Sequence, residues 1–194
     1  MEDSWLKRKK AFVGRLEREI AVGRVDRDII PLLRAINSLN EYYTTSSCSG
    51  RIQVVASELP GEKGLMKTLA KWHEPVEVVV VEGVIRESAE PNLWFSVQPP
   101  ILHIMCRSLE AAFKMLYVAR GSGFKRAGIQ GGKKGRYPVE IIGTERIEVP
   151  LRLHEVDIVP IERLPLLVEA ANRLLLRSKE RLQRLLLSVK EMEK

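Results

Sequence analysis

The residues best suited to chemistry form one continuous run of small, hydroxyl-bearing side chains that ends in an arginine. Those residues are Ser46, Ser47, Cys48, Ser49, Gly50 and Arg51. Side chains this small leave backbone N–H groups open and bring hydroxyls, a thiol and a guanidinium close together. The run therefore predicts a turn that binds an anion or a polar ligand close to the main chain.

A second candidate is the glycine-rich basic segment 121–136. Its cations are Lys125, Arg126, Lys133, Lys134 and Arg136. The segment is not a dinucleotide-binding fingerprint, because Arg126 occupies the third glycine position and the segment follows a predicted helix. It is not a phosphate-binding Walker loop either, because Ala127 stands where the first glycine belongs. The composition indicates contacts to phosphates of a larger polyanion, or a solvated hairpin turn.

The histidines offer proton transfer rather than metal binding. His73, His103 and His154 lack the short spacing of metal ligands. Strand alternation places His103 on one face with Arg107, an unusual pair for a plain core strand, although a hydrogen-bonded structural histidine is the alternative. Trp72 precedes His73 and is either a stacking platform for a base or an interface residue. A Cys48 thiol nucleophile is disfavoured, because no orienting third residue is evident.

Composition sets the outer bounds. A chain of 194 residues with 45% hydrophobic residues is long enough for a full core in one domain or two small ones. Its 32 basic and 25 acidic residues give a net charge of +7, which favours polyanionic partners. Two cysteines without metal-type spacing indicate a reducing, cytoplasmic compartment. The chain shows no signal peptide and no apolar run of membrane length, so we expect a protein without a membrane partner.

Hydrophobic periodicity predicts helices on both sides of a strand-rich middle. The first helix begins at Asp3 or Ser4 and ends at Gly23, and the second begins at Asp26 or Asp28. Segment 76–85 fits either a strand or a helix and is assigned as helix. Ser108 caps the fourth helix, and the long last helix carries an apolar stripe over 167–189 that packs on a sheet or on a second subunit. Strands are predicted at 52–57, 65–72, 93–97, 101–105, 128–131, 137–142, 147–153 and 156–159.

The fourth helix has a predicted buried face, and the chain shows a weak internal repeat. The residues expected to point inward are Leu109, Ala112, Phe113, Leu116 and Tyr117. A helix, a small-residue loop and strands occur around 28–57 and again around 108–142. This pattern predicts two related halves whose glycine loops lie near a shared cleft.

Five motifs together resemble the tRNA wybutosine-synthesizing protein 3 family in its short archaeal-type form. They are Ser46–Ile52, Leu102–Arg107, Ser122–Phe124 with Gly128–Ile129, Gly132–Gly135 and Glu148–Leu151. They occur in the family's order and spacing, and the resemblance runs from Asp26 to the carboxyl terminus.

The resemblance implies a single S-adenosylmethionine-dependent methyltransferase domain spanning residues 1–194. The family methylates N4 of a tricyclic guanosine-derived base 3′ of the anticodon in tRNA(Phe), a base that already carries a 3-amino-3-carboxypropyl group. The implied fold is α+β, with one curved, barrel-like, largely antiparallel sheet flanked by helices. That sheet is built from two related halves, roughly 26–90 and 91–160, and a long carboxyl-terminal helix follows.

Joining the residues to this resemblance gives a site hypothesis. The Ser46–Arg51 run would bind the donor's carboxylate, and Glu148, Pro150 and Leu151 would contribute to its adenine slot. His103 is the expected base, with His73 in reserve. The expected substrate-binding residues are Trp72, Arg107, Lys125, Arg126, Lys133, Lys134 and Arg136.

Two other functions remain open at this point. A non-catalytic RNA-binding protein would use the same basic loops and tryptophans but would ignore S-adenosylmethionine. A small-molecule methyltransferase would use the Ser-Cys-Ser run and leave the basic first helix without a role. We expect the anticodon loop of tRNA(Phe) as partner, and the long last helix could serve a homodimer.

Overall fold

The computed structural model describes residues 4–61, 66–133 and 135–192. Within these residues the chain is α+β and separates into two compact units. Unit 1 contains 1–49, 100–144 and 179–194, and unit 2 contains 50–99 and 145–178. The chain passes from unit 1 to unit 2 between Ser49 and Gly50, inside the run of small residues.

The predicted helices and strands are present with small shifts of their ends. The described helices are α1 (Ser4–Ala21), α2 (Ile30–Ser38), α3 (Val78–Glu87), α4 (Leu109–Gly121) and α5 (Leu164–Glu191). The described strands are β1 (Tyr42–Cys48), β2 (Arg51–Ala56), β3 (Lys67–Trp72), β4 (Leu93–Gln98), β5 (Ile101–Cys106), β6 (Arg126–Ile129), β7 (Tyr137–Ile142), β8 (Ile147–Leu153) and β9 (Val156–Asp157). The ambiguous segment 76–85 is mainly helical, as assigned. Asp3 and the start of the strand predicted at 65–72 lie outside the described residues.

The small-residue run is mostly strand, which corrects the prediction of one long turn. Ser46, Ser47 and Cys48 belong to β1 and pair with β5, and only Ser49 and Gly50 form the turn into β2. Gly50 has φ 86°, a left-handed conformation that a side chain disfavours. Small side chains are compatible with a strand when the neighbouring strand satisfies their backbone groups.

The predicted buried face of the fourth helix is only partly right: Ala112 and Leu116 are buried as predicted, but the other three residues are not. Leu109, Phe113 and Tyr117 are exposed, and Tyr117 is 82% exposed. The side facing the core carries Ala111, Ala112, Met115, Leu116 and Ala119. Small alanine side chains allow this helix to lie close to its sheet, whereas the larger apolar stripe faces outward.

Unit 1 is built on an antiparallel sheet of strand order β1-β5-β7-β6. One face of this sheet joins α2, α4 and the last part of α5 in a core that includes Leu33, Ile104 and Leu185. On the opposite face of β1, Tyr43 packs against two aromatic residues of α1. The ring centroids of Trp5 and Tyr43 lie 4.9 Å apart.

Unit 2 is built on an antiparallel sheet of strand order β3-β2-β4-β8-β9. Its core combines one face of the sheet with α3 and the first part of α5, and it includes Val54, Phe95 and Leu175. The other face of β2, β4 and β8 is largely polar. Alternation along each strand therefore separates a core face from a polar face.

The expected single barrel-like sheet is wrong for the described residues. The strands divide between two sheets, and neither sheet closes on itself. The α+β class, the antiparallel pairing and the long last helix are confirmed. Compact units do not test for an internal repeat, so the two related halves stay a prediction. Among the described helices, none combines the length and the apolar character needed to cross a membrane.

The core of unit 1 can be tested with two leucines on the same helix. Leu185 is fully buried, whereas Leu187 is 61% exposed. We expect Leu185→Ala to lower the free energy of unfolding by about 2–5 kcal/mol, because the truncation leaves a cavity. Leu187→Ala should change it by less than about 0.5 kcal/mol. Equal losses in a denaturant titration would contradict this packing.

The two cysteines should differ in reactivity. Burial raises the pKa of the Cys106 thiol to about 12, and the nearby charge of Glu41 adds to this shift. Cys48 is only half-buried. Since the thiolate is the reactive form, a thiol reagent at pH 8 should label Cys48 in the folded protein and Cys106 only after unfolding.

A Cys48→Ser variant provides the control, because its folded form should then resist labelling. The raised pKa of Cys106 also means that deprotonation favours the unfolded chain, so its contribution to stability falls as pH rises above about 9. Equal labelling rates of the two thiols in the folded wild type would refute the assignment.

Candidate functional site

His103 lies at the centre of a row of polar side chains that crosses the sheet of unit 1. In the strand register, Ser46 of β1 is paired with His103 of β5, and His103 is paired with Glu140 of β7. The Ser46 Oγ lies 2.8 Å from His103 Nδ1, and His103 Nε2 lies 3.0 Å from Glu140 Oε2. Both ring nitrogens are therefore within hydrogen-bonding distance of a side chain.

A β-bulge brings Ser46 into this row. The register of β1 against β5 shifts between Thr44 and Ser46, so Thr45 is the extra residue. Thr44 faces the core, where the Asn37 amide accepts from its backbone N–H at 2.9 Å and donates to its Oγ1 at 2.8 Å. Without the extra residue, simple alternation would point Ser46 towards the core and place Thr45 opposite His103.

The partners of His103 indicate how its proton is placed. An ionised carboxylate can only accept, so Nε2 carries the hydrogen and donates it to Glu140. In the neutral imidazole, Nδ1 is then unprotonated and accepts from the Ser46 hydroxyl. The other oxygen of Glu140 accepts from Gln130 Nε2 at 3.1 Å. The His103 side chain is 37% exposed, so part of the ring is accessible.

Glu140 and Gln130 are site residues that sequence reasoning missed. Glu140 is the one charged residue in the strand Tyr137–Ile142. A single carboxylate in an otherwise uncharged strand is the sequence signal that could have identified it. The signal does not identify a partner, because strand pairing decides which residue lies opposite Glu140.

The turn at Ser49 is held by charged side chains of unit 1. The fully buried Ser49 donates its backbone N–H to Asp26 Oδ2 at 2.8 Å. Lys179 Nζ donates to the Ser49 Oγ at 2.8 Å, and it lies 2.6 Å from Asp28 Oδ2. One N–H predicted to be open to a ligand is thus already satisfied, so a donor carboxylate would need other groups of the run.

His73 and Trp72 belong to unit 2. The His73 Nδ1 lies 3.2 Å from the Gly50 carbonyl, which can only accept, so Nδ1 carries the hydrogen. Trp72 is half-buried at the end of β3, opposite Ile52, and packs against the core of this unit. Its packing therefore gives Trp72 a structural role in addition to the predicted stacking.

A cavity of about 190 Å³ lies over the polar face of the unit 2 sheet and contains two predicted donor-binding residues, Arg51 and Glu148. Its other polar or aromatic wall residues are Gln53, Trp94, Ser96, Gln98 and Arg146. Pro150 follows on the same face of β8, whereas Leu151 is only 3% exposed and packs in the core.

The chemistry of this wall fits the methyl donor that the resemblance implies. A guanidinium can pair with a carboxylate, a carboxylate can accept from an ammonium or a ribose hydroxyl, and an indole can face a purine. Gln53 is 3% exposed and Ser96 is 2% exposed, so polar groups extend into the buried part of the wall. Arg51 Nε donates to Gln53 Oε1 at 3.0 Å, which orients both side chains.

Part of the predicted substrate-binding set is brought together in unit 1. Arg107, Lys133 and Arg136 line a cavity of about 560 Å³ together with Ser4, Trp5, Arg8 and Gly135 of the same unit. Lys125 and Arg126 are exposed but do not line this cavity. Lys134 lies outside the described residues. A smaller cavity of about 200 Å³ lies beside Ser46 and Ser47 and is walled partly by apolar residues of α1.

Comparison with known proteins adds independent information. A protein named tRNA(Phe) 7-((3-amino-3-carboxypropyl)-4-demethylwyosine(37)-N(4))-methyltransferase 1, from Pyrococcus furiosus, is 43% identical over 178 residues. The match covers 92% of this chain and 90% of that protein. A relative from Archaeoglobus fulgidus whose name gives the same N4-methyltransferase is 42% identical over 163 residues, covering 84% of this chain and 81% of the relative.

Solved structures share the same fold. The PH1069 protein from Pyrococcus horikoshii superposes with a TM-score of 0.90 at 40% identity, over 95% of each chain. A hypothetical protein from Aeropyrum pernix gives a TM-score of 0.76 at 32% identity, over 86% of this chain and 98% of the other.

The family comparison agrees with these relatives and with the five motifs. The family described as Methyltransferase TYW3 matches residues 7–191, which include the His103 row, the Ser49 turn and the walls of the unit 2 cavity. The resemblance that the motifs indicate is confirmed, and the chain belongs to the Methyltransferase TYW3 family.

Proposed function

We propose that this protein methylates N4 of 7-(3-amino-3-carboxypropyl)-4-demethylwyosine at position 37 of tRNA(Phe), with S-adenosylmethionine as methyl donor. The observation that carries the substrate is the identity of about two residues in five to relatives named for this reaction, over most of both chains. The net charge of +7 agrees with a nucleic-acid substrate. A tRNA substrate also favours a cytoplasmic location.

We assign the base to His103. As the acceptor nitrogen gains the methyl group, the bond from that carbon to the donor's sulfonium sulfur breaks, and the rest of the donor would leave as a neutral thioether. The acceptor nitrogen must also lose a proton, and the unprotonated Nδ1 of His103 can receive it. Glu140 then stabilises the imidazolium through the hydrogen bond from Nε2. Ser46 occupies the proton-accepting position in the structure, so its hydroxyl must turn aside or relay the proton. The histidine contributes proton transfer, and the remaining acceleration comes from alignment of donor and acceptor.

The donor, when bound, supplies an electrophilic methyl group. We assign Arg51 to its carboxylate and Glu148 to its ammonium or ribose hydroxyls, with Pro150 beside them on β8. The other residues of the Ser46–Gly50 run, the reserve base His73 and the core residue Leu151 stay predictions. Because Leu151 is buried, any contribution it makes to the donor site would be structural.

The tRNA would meet the basic residues Arg107, Lys133 and Arg136, which share one cavity. The base beside the anticodon lies in a single-stranded loop, where it can be unstacked at lower cost than a base in a duplex. The exposed Lys125 and Arg126 are available for further phosphate contacts. A homodimer through the last helix stays a prediction.

The reaction can be tested with radiolabelled S-adenosylmethionine. We expect label in tRNA(Phe) that carries the aminocarboxypropyl tricyclic base and none in unmodified tRNA(Phe), because the acceptor nitrogen belongs to the modified ring. Binding of both RNAs without any label would instead support the non-catalytic RNA-binding function.

The base can be tested with two histidine variants. We expect His103→Ala to lower kcat about 100-fold or more with little change in KM for tRNA, because proton transfer is lost while binding groups remain. The control is His154→Asn in the exposed turn after β8, where φ is 49° and asparagine is tolerated. Near-wild-type turnover of His103→Ala would transfer the role to another residue, with His73 next to be tested.

A further inference from the structure

We infer that the cavity beside α1 in unit 1 is a binding site for RNA phosphate, and that Arg8 is one of its ligand-binding residues. This inference rests on the proposed function, because it takes tRNA as the ligand. The site adds the first helix to the RNA-binding surface, although the residues predicted from the motifs come only from later segments.

Three separate parts of the chain supply cations to this cavity. Arg8 comes from α1, Arg107 follows β5 directly, and Lys133 and Arg136 come from a hairpin tip. The two hairpin residues exchange backbone hydrogen bonds of 3.0 and 2.8 Å, so they stand directly opposite each other. Tertiary structure thus brings together four positive charges from three segments that lie far apart in sequence.

Arg8 carries a donor that the protein itself does not satisfy. Its Nε is buried and has no hydrogen-bond partner within the described part of the chain. Its Nη2 reaches the Gly135 carbonyl only at the long distance of 3.5 Å. A buried, charged donor without a partner is costly. Because Arg8 lines the cavity, a reorientation of its guanidinium towards a bound anion would satisfy this donor.

The surroundings of the cavity favour an anion. Of the described residues, seven line the cavity; four of these are cationic and none is acidic. Glu41 lies 3.5 Å from Arg107, where both side chains are 44% exposed, and this long solvent-exposed pair neutralises little of the charge. The positive charges repel one another when the cavity holds no anion. A bound phosphate would reduce that repulsion and could accept a hydrogen bond from the Arg8 guanidinium.

The extent of the positive charge favours a phosphodiester chain over a free phosphate ion. Arg15 is exposed about two turns after Arg8 on the same side of α1, and the exposed Lys7 and Arg18 lie about a quarter-turn from that line. Exposed cations that continue along the helix from the cations of the cavity suit successive phosphates of a single strand. A free phosphate or nucleotide would use the cavity alone.

The test compares Arg8→Gln with a matched control. Lys114 is exposed on α4 and does not line the cavity, so Lys114→Gln removes one charge elsewhere in unit 1. We expect Arg8→Gln to weaken binding of tRNA(Phe) about tenfold. The slope of log affinity against log salt should fall by about 0.7–0.9, the value for one lost phosphate contact. Fluorescence anisotropy over a KCl series measures both quantities.

Several outcomes would overturn the inference. Equal affinity and salt slope for Arg8→Gln and Lys114→Gln would exclude an RNA contact in the cavity. Inorganic phosphate could raise the melting temperature of the wild type but not that of Arg8→Gln, while the two proteins bind tRNA with equal affinity. That result would assign the site to a free anion. Should Arg8→Gln unfold, Arg136→Gln on the hairpin provides the same test without altering α1, and its unchanged binding would overturn the inference as well.

The wild-type labelling experiment separates this inference from the proposed function. Label in the modified tRNA together with unchanged binding by the variants would overturn the phosphate site and leave the methyltransferase function standing. Absence of label, with weakened and less salt-dependent binding by Arg8→Gln, would support the phosphate site on an RNA-binding protein that does not methylate this base.

Discussion

The candidate site depends first on the register of three antiparallel strands in unit 1. Pairing of β1, β5 and β7 places Ser46, His103 and Glu140 side by side, so two cross-strand contacts fix both nitrogens of one imidazole. The bulge at Thr45 is essential to this arrangement, since a strand of uninterrupted alternation would turn Ser46 towards the core. The buried Asn37 stabilises the bulge by bonding Thr44 on its core side.

Both sheets use the same physical principle. Alternation gives each strand one apolar face for the core and one face for polar groups. In unit 1 the apolar face includes Ile104 and Val139, and the polar face includes the His103 row. In unit 2 the apolar face includes Val54 and Phe95, and the opposite face forms the wall with Arg51 and Glu148. Packing of the apolar face thus fixes the strands, and the fixed strands position the polar side chains of the opposite face.

At the Ser49 turn, charged side chains stabilise the backbone in a region whose composition indicates ligand binding. Asp26 and Lys179, far apart in sequence, both bond to Ser49, and Lys179 also pairs with Asp28. A buried serine whose backbone N–H and hydroxyl are both hydrogen-bonded is held firmly within unit 1. Small residues at this turn allow charged side chains to approach the backbone closely, so the same composition suits an internal contact as well as an external ligand.

The sequence by itself determined the α+β class, the helices and strands and the family, because periodicity, capping residues and motifs are local. It placed three exposed residues of α4 in the core along with the correctly predicted Ala112 and Leu116, since Phe113 and Tyr117 continue the apolar stripe as regularly as buried residues do. Only the tertiary structure decided that the strands divide into two sheets, that Glu140 lies beside His103, and that Arg8 joins Arg136. Those outcomes depend on strand pairing, one bulge and contacts between distant segments. The free energy of each such interaction depends on two residues together, so neither residue's type predicts it alone.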